Sequence, residues 1–191
     1  MKHQWVLTSV IAAALVNGYC DKPSVYAARP LPAQPPVTTE VHAFDRHLSM
    51  PLANVRQADL RDTFNEGRGG AGPHEATDIM APRDTPVLAV EDGVIKKLFL
   101  SKPGGLTIYQ FDPSQQFCYY YAHLNGYAKG LTEGMAVARG QVIGYVGSTG
   151  NASPLSPHLH FGITLLGPEK HWYGGTAINP YPFLLAALKG H

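Results

Sequence analysis

Cysteine and charged residues are both scarce in this sequence of 191 residues. Its 2 cysteines cannot build a disulfide framework, and they cannot supply the cysteine-rich ligand set of structural zinc sites. Only 15% of the residues are charged, and 15 basic against 14 acidic side chains leave a formal net charge of +1. A chain so close to neutral has no general electrostatic attraction to nucleic acid or anionic lipid. We therefore expect no nucleic-acid partner.

The apolar run near the N-terminus, Trp5–Val16, is shorter than the roughly 20 residues of a usual membrane span. Its length is typical of a secretory signal, so we predict an export signal over residues 1–27, with an uncleaved N-terminal anchor as the alternative. Cys20 could carry a lipid, but Tyr19 stands where lipid-attachment sites need a small residue, which favours simple cleavage. We expect an exported protein of the periplasm or cell envelope, without a stable membrane span in its mature form.

Glycine and proline are abundant, with 20 and 16 residues, and they favour short strands joined by turns. The sequence predicts a proline-rich spacer over residues 28–50 and one domain over residues 51–191. The fold class we predict is mainly β, a compact single domain of antiparallel sheets with a short terminal helix over Pro182–Leu188. The predicted strands are Val87–Val90, Gly93–Leu100, Leu106–Phe111, Phe117–Leu124, Gln141–Val146 and His158–Leu165. The segments Val90–Ile95 and Val137–Val142 echo each other weakly, which indicates a duplicated β motif.

Histidine is unusually frequent, with 9 residues in the chain. Along Pro157–Ile163, the alternation of a β-strand sends His158 and His160 to one face and apolar residues to the other. The two imidazoles would lie about 7 Å apart along the strand, at a rise of about 3.3 Å per residue. Both rarely fit one tetrahedral metal, so one could bind a metal while its neighbour acts on substrate.

His123 lies near the end of another predicted strand. Strict alternation there places Tyr119, Tyr121 and His123 on one face. A lone histidine in that position is more often a core or edge residue than a catalytic one. His123 therefore indicates a catalytic site only if it lies near the other histidines.

His74 and Asp78 follow a glycine-rich loop over residues 69–73. In a straight strand their Cα atoms would lie about 13 Å apart, so they can share a metal only if the chain bends between them. Otherwise Asp78 caps a turn and His74 is solvated. Taken together, the candidates offer two imidazoles and one carboxylate for a metal, with two more imidazoles nearby. Such a set is typical of catalytic zinc, which keeps a position for water.

At these residues the chain resembles the M23 family of zinc metallopeptidases, the LytM or lysostaphin-like peptidoglycan endopeptidases. The resemblance covers about Leu60–Leu184. The motifs that carry it are His74–Asp78, Tyr121–Leu124, Gly140–Gly150 and His158–Phe161. One position departs from the family pattern, because Ala76 stands where the family usually has glycine.

The resemblance implies a Zn²⁺ ion bound by His74, Asp78 and His160, with His123 and His158 as a catalytic pair that does not bind the metal. It also implies the fold, which would be the duplicated hybrid motif of these peptidases. The expected reaction is hydrolysis of a peptide bond in bacterial peptidoglycan by metal-activated water. The expected partners are a peptidoglycan peptide as substrate and a regulatory protein.

Two other functions compete with this interpretation. The first is a catalytically inactive LytM-like domain that binds and activates another cell-wall hydrolase, although such domains lack the metal ligands. The second is a phosphotransfer carrier with two facing histidines and no metal, which the predicted export signal opposes.

Aromatic residues near the motifs have two interpretations. Tyr119, Tyr121, Tyr145 and Trp172 could line a groove for an extended peptide, or they could pack within the sheet. We expect Cys118, in the middle of a strand, to be a small buried apolar residue.

Overall fold

The structure is a computed structural model, and it describes residues 46–67 and 72–190. The described residues form a short 3₁₀ turn over Gln57–Asp59, a series of β-strands and one α-helix, α1, over Tyr181–Lys189. The strands are β1 Thr77–Met80, β2 Pro86–Leu88, β3 Gly93–Ser101, β4 Gly105–Phe111, β5 Phe117–Tyr127, β6 Ala136–Val137, β7 Val142–Val146, β8 His158–Leu165 and β9 Thr176–Ile178.

The strands form one antiparallel sheet in the order β1-β8-β5-β4-β3-β6. Strand β7 pairs with β5 and with β2, and β9 pairs with β8. Strand β5 is the longest and contacts β4, β7 and β8, so it lies at the centre of the sheet. Its neighbour β8 carries the two alternating histidines.

The predicted fold class is confirmed, and each predicted strand has an observed counterpart. Strand β8 has the predicted ends, and the terminal helix is one residue longer at each end than predicted. Strands β1, β6 and β9 were not predicted, because two to four residues rarely show an alternating pattern; the three-residue β2 was predicted only as part of the longer apolar run Val87–Val90.

One hydrophobic core supports the face of the sheet opposite the histidines. Along β8, Leu159 and Phe161 are fully buried, whereas His158 and His160 are only half-buried. The segments with weak sequence similarity lie side by side, since the Arg139 N–H donates to Asp92 Oδ1 at 2.7 Å. Strand alternation therefore separates core residues from polar ones, as the sequence predicts.

The packed part of the chain begins before the predicted boundary at residue 51. Leu48 and Met50, at the end of the predicted spacer, are buried in the core. The predicted export signal and the spacer up to residue 45 lie outside the described residues. Within the described ranges, no helix has the length and apolar character needed to span a membrane.

Candidate metal centre

Two neighbouring strands bring the candidate metal-binding residues together. Asp78 lies on β1 and His160 on β8, and the two are direct partners in the antiparallel register. His74 lies four residues before Asp78, and its ring packs edge-on against the His160 ring with 4.8 Å between centroids. The sheet therefore joins residues that are far apart in the sequence.

Three side-chain atoms form a nearly equilateral triangle. His74 Nε2 lies 3.0 Å from His160 Nδ1 and 3.1 Å from Asp78 Oδ1. His160 Nδ1 lies 3.0 Å from the same carboxylate oxygen. Ligand atoms around a tetrahedral zinc ion are separated by roughly 3.3 to 3.5 Å, given bonds of about 2.0 to 2.2 Å. The triangle is within a few tenths of an ångström of that spacing, so these residues could hold a zinc ion.

The chain bends between His74 and Asp78, as it must if the two residues are to share a metal. Glu75 has φ +57°, a left-handed conformation that turns the chain back within one residue. Ala76 is not among the non-glycine residues with positive φ in the described part of the chain. The alanine is therefore compatible with the turn, and its methyl group is buried.

Backbone carbonyl groups fix the protonation of three of the histidine rings. His74 Nδ1 lies 3.0 Å from the Thr63 carbonyl, His123 Nδ1 lies 2.8 Å from that of Thr149, and His158 Nδ1 lies 2.9 Å from that of Ser156. Because a carbonyl oxygen only accepts, each Nδ1 carries the hydrogen and donates it. In a neutral ring, Nε2 then keeps a free lone pair for a metal or a proton.

The position of His123 corrects one prediction. The predicted shared face of Tyr119, Tyr121 and His123 is wrong, because a β-bulge interrupts the pairing of β4 with β5 between Leu106 and Ile108. His123 lies in this bulge with φ +59°. Tyr119 and Tyr121 point into the core, whereas His123 lies on the polar side with His160.

His123 and His158 lie beside the triangle. Their ring centroids are 4.9 Å apart, and His158 Nε2 is 3.8 Å from Asp78 Oδ1. Burial lowers the pKa of His123 to about 4, against an opposing effect of its hydrogen bond to Thr149, with His160 and His158 lowering it further. His123 is therefore neutral at physiological pH and able to accept a proton.

Asp78 is ionised in this setting. Burial would raise the pKa of its carboxyl group, but the interactions with the His160 and His74 rings outweigh burial and hold the pKa well below its usual range. The carboxylate therefore supplies a full negative charge at the centre of the cluster.

A groove extends from the triangle along the sheet. Tyr120, Tyr109 and Trp172 line it, together with Glu75 at its rim. Their rings form a continuous series, with 5.7 Å between the His160 and Tyr120 centroids and 4.7 Å between each following pair. Of the aromatic residues predicted from the sequence, Trp172 lines this groove.

The other aromatic residues that the sequence singled out lie outside the groove. Tyr119 and Tyr121 are fully buried, so they follow the packing alternative. Tyr145 is half-buried on β7 and is not part of the groove lining. Cys118 is buried, as expected, and burial raises the pKa of its thiol to about 12.

Comparison with known proteins assigns the family. Residues 72–180, more than half of the chain, match the model of peptidase family M23. This chain belongs to peptidase family M23. The match includes the triangle and both neighbouring histidines.

Relatives and solved structures agree with this assignment. The L-Ala–D-Glu endopeptidase of Bacillus subtilis is 37% identical over 152 residues, which cover 76% of this chain and 43% of that protein. The peptidoglycan DD-endopeptidase ShyC of Vibrio cholerae is 34% identical over 98 residues, 51% of this chain and 22% of that protein. The chain therefore spans less than half the length of these curated relatives.

The catalytic domain of lysostaphin from Staphylococcus simulans superposes with a TM-score of 0.56 at 31% identity. The superposition covers 65% of this chain and 90% of that domain. M23 peptidases are zinc enzymes, and the two imidazoles and one carboxylate of this M23 domain are the ligand types that catalytic zinc takes. Zinc is therefore the cofactor of this chain.

Sequence reasoning missed the residues that orient the histidines. Thr63, Thr149 and Ser156 act through backbone carbonyl groups, which every residue type has. No residue pattern identifies such a contact. Only Thr149 lay within a motif that the sequence singled out.

Proposed function

We propose that this M23 domain is a zinc-dependent endopeptidase that hydrolyses a peptide bond in bacterial cell-wall peptidoglycan. One observation supports this most strongly: a carboxylate and four imidazoles from distant parts of the chain converge at one end of an aromatic groove. The relatives point to the substrate class, since they include an L-Ala–D-Glu endopeptidase and a peptidoglycan DD-endopeptidase.

In this proposal, His74, Asp78 and His160 hold the zinc ion. When bound, zinc supplies a Lewis acid that polarises a peptide carbonyl and lowers the pKa of water. Asp78 offsets only one of the two positive charges of the ion, so the centre stays electrophilic. Asp78 can thus bind the ion without neutralising its positive charge completely.

His123 and His158 provide the proton transfers. Each ring donates Nδ1–H to a carbonyl, which leaves Nε2 unprotonated in the neutral ring and able to take a proton from the attacking water. The same nitrogen can return the proton to the leaving amine. Positioned acid–base groups of this kind contribute about 10² to 10⁴ in rate.

The groove would hold the extended peptide. Its aromatic rings offer apolar surface next to the cluster, and the Glu75 carboxylate at the rim favours a substrate with a positive charge nearby. The complete set of donors argues against the inactive alternative, and the carboxylate among the imidazoles argues against a phosphotransfer carrier.

The location of the protein completes the proposal. Peptidoglycan lies outside the cytoplasmic membrane, so the proposed substrate requires the export that the N-terminal sequence predicts. Periplasmic location, lipid attachment at Cys20 and a regulatory protein partner stay predictions from the sequence.

The proposal is tested with the purified chain, purified peptidoglycan and metal analysis. We expect about one zinc per chain and the release of fragments whose masses show new peptide ends. His160→Ala should lose both zinc and lysis, because it removes one corner of the triangle. His123→Ala should keep zinc while lysis falls at least about 100-fold.

His47→Ala is the matched control, because His47 is an exposed histidine outside the cluster. This variant should bind zinc and digest peptidoglycan as the parent chain does. Zinc retained by His160→Ala would remove that residue from the ligand set. Absence of new peptide ends with the zinc-loaded parent chain would contradict the proposed reaction.

A further inference from the structure

Thr63 lies under the turn that carries two of the three candidate zinc ligands. Its side chain is 8% exposed and belongs to the segment before β1. The carbonyl of Thr63 accepts the hydrogen bond from His74 Nδ1 described above. Its hydroxyl makes further contacts around the turn, and no step of the proposed reaction uses them.

Thr63 Oγ1 reaches three points on the turn. It lies 3.0 Å from His74 Nδ1, 3.2 Å from the Asp78 N–H and 3.2 Å from the Ala76 carbonyl. A hydroxyl has one hydrogen to donate and two lone pairs to accept with. Here it donates to the Ala76 carbonyl, accepts from the Asp78 N–H, and shares the single His74 Nδ1 hydrogen with the Thr63 carbonyl.

These contacts hold together two proposed ligands that would be far apart in an extended chain. His74 and Asp78 would be about 13 Å apart in an extended strand, yet their ligand atoms lie 3.1 Å apart in the fold. The hydroxyl binds the ring of one ligand, the backbone of the other and the carbonyl between them. A metal site is tight when its ligands are already held in place, because little ordering remains to be done on binding.

We infer that Thr63 is a positioning residue, whose hydroxyl holds the His74–Asp78 turn in the geometry that binds zinc. This inference rests on the zinc site of the proposed function. It concerns the affinity of the site for the metal, and it needs no contact between Thr63 and substrate.

The test compares Thr63→Val, which removes the hydroxyl and keeps the shape, with Thr63→Ser, which keeps the hydroxyl. Zinc affinity is measured by competition with a chelator, and ligand geometry by the visible absorption of the Co²⁺-substituted full chain. Thr63→Val should bind zinc about 10- to 100-fold more weakly, the usual effect of losing a group that orients a metal ligand. Its Co²⁺ spectrum should change, whereas Thr63→Ser should match the parent chain in both measurements.

Thr77→Val is the matched control. Thr77 is buried, as Thr63 is, and it is close to the site in sequence, but its hydroxyl has no hydrogen-bond partner among the described residues. The same substitution there should leave zinc affinity and the Co²⁺ spectrum unchanged. A drop in affinity common to both valine variants would overturn the inference, because it would report a loss of general packing.

Four further outcomes also decide the question. Unchanged affinity in Thr63→Val, or weakened affinity in Thr63→Ser, overturns a role for the hydroxyl. If Thr63→Val does not fold without metal while Thr77→Val does, the hydroxyl supports the whole domain and the specific role is overturned. If the parent chain itself binds no zinc, the proposed function fails, and this result is distinct from a failure confined to Thr63.

Discussion

Two residues at the metal centre have a backbone conformation that side chains rarely adopt. Glu75 and His123 have φ +57° and +59°, and neither is glycine. Such conformations cost of order 1 to 3 kcal/mol each and persist only where the surrounding structure requires them. Here Glu75 makes the turn between two of the proposed ligands, and His123 is turned out of the core by a bulge. Both strained residues therefore serve to place side chains at the site.

Ala76 lies in the His74–Asp78 turn, where the family usually has glycine. Replacing it tests whether alanine strains this turn. Ala76→Gly restores the residue that the family pattern has, but it should destabilise the domain by about 1 kcal/mol, because glycine gains freedom in the unfolded chain. Zinc affinity should stay within about twofold, since the backbone at Ala76 has no positive φ that glycine would relieve. Urea unfolding and chelator competition measure the two quantities. A more stable Ala76→Gly variant would show that the alanine strains the turn.

The sequence predicts the site better for residues on regular strands than for those at irregularities. His158 and His160 share a face as predicted, because β8 is a regular strand whose burial alternates over its first four residues. The face of His123 could not be predicted, because the bulge depends on the partner strand and has no pattern of its own. His74 and Asp78 lie close together because the chain bends at Glu75. The sequence allowed such a bend but did not predict it. The roles of these five residues stay predictions until variants are measured.

At the scale of elements, one turn supports the bulge that carries His123. The Thr149 hydroxyl accepts from the Leu106 N–H at 3.0 Å and donates to the Leu124 carbonyl at 2.8 Å. These backbone groups flank the place where β4 and β5 lose their regular register. A Cβ on Gly105 would lie 2.1 Å from the same hydroxyl, and Gly105 has φ +63°, so glycine is required for this close approach.

Replacement of Thr149 by valine tests this support. Thr149→Val keeps the shape but leaves a backbone N–H and a carbonyl without their partner, which should lower the free energy of unfolding by about 1 to 3 kcal/mol. Lysis should fall as well, because the Thr149 carbonyl orients His123, while zinc should be retained. Thermal unfolding, metal analysis and peptidoglycan digestion report the three effects.

Thr132→Val is the control for that experiment, because Thr132 is exposed and its hydroxyl makes no hydrogen bond among those described. It should leave the unfolding temperature and lysis unchanged. An unfolding temperature of Thr149→Val equal to that of the parent chain would mean that the bulge stands without the threonine.

The long strands were the easiest to predict from the sequence. Strands β3, β4, β5 and β8 have seven or more residues, and each shows an apolar pattern in the sequence. Strand β1 has four residues, of which Asp78 is one, so a site residue lies on a strand that propensity alone does not reveal. The pairing of Asp78 with His160 is a tertiary fact, fixed by the sheet as a whole.

At the scale of the whole molecule, an ionic network fastens the start of the described chain to the sheet. Arg46 Nη1 donates to Glu91 at 2.9 Å, and Arg46 Nη2 donates to Asp112 Oδ2 at 2.8 Å. The Tyr119 hydroxyl donates to Glu91 Oε2 at 2.5 Å. Asp112 also accepts from the Phe117 N–H at 2.6 Å, which closes the turn between β4 and β5. Sequence reasoning assigned residue 46 to a spacer, because ion pairs between distant residues have no local signature.

This network predicts how the free energy of unfolding depends on pH. Burial would raise the pKa of Asp112, but hydrogen bonds from Ser114 and Phe117 and the charge of Arg46 outweigh burial and lower the pKa. The folded chain therefore binds fewer protons at this carboxyl group than the unfolded chain, whose Asp pKa is about 3.9. The stabilisation is complete above that value and is lost as the pH falls below about 4 toward the folded pKa.

Asp112→Asn removes this contribution and should lower the free energy of unfolding by about 1 to 3 kcal/mol at pH 7, the usual range for hydrogen bonds to a charged group. The difference from the parent chain should stay constant down to about pH 5 and narrow below about pH 4, because protonation then removes the same charge from the parent. Urea unfolding between pH 3 and pH 7 measures it, with chelator present so that release of metal at low pH does not contribute. Glu169→Gln, which neutralises an exposed carboxylate, should show no difference at any pH. A difference for Asp112→Asn that persisted unchanged at pH 3 would mean that shape, and not charge, accounts for the loss.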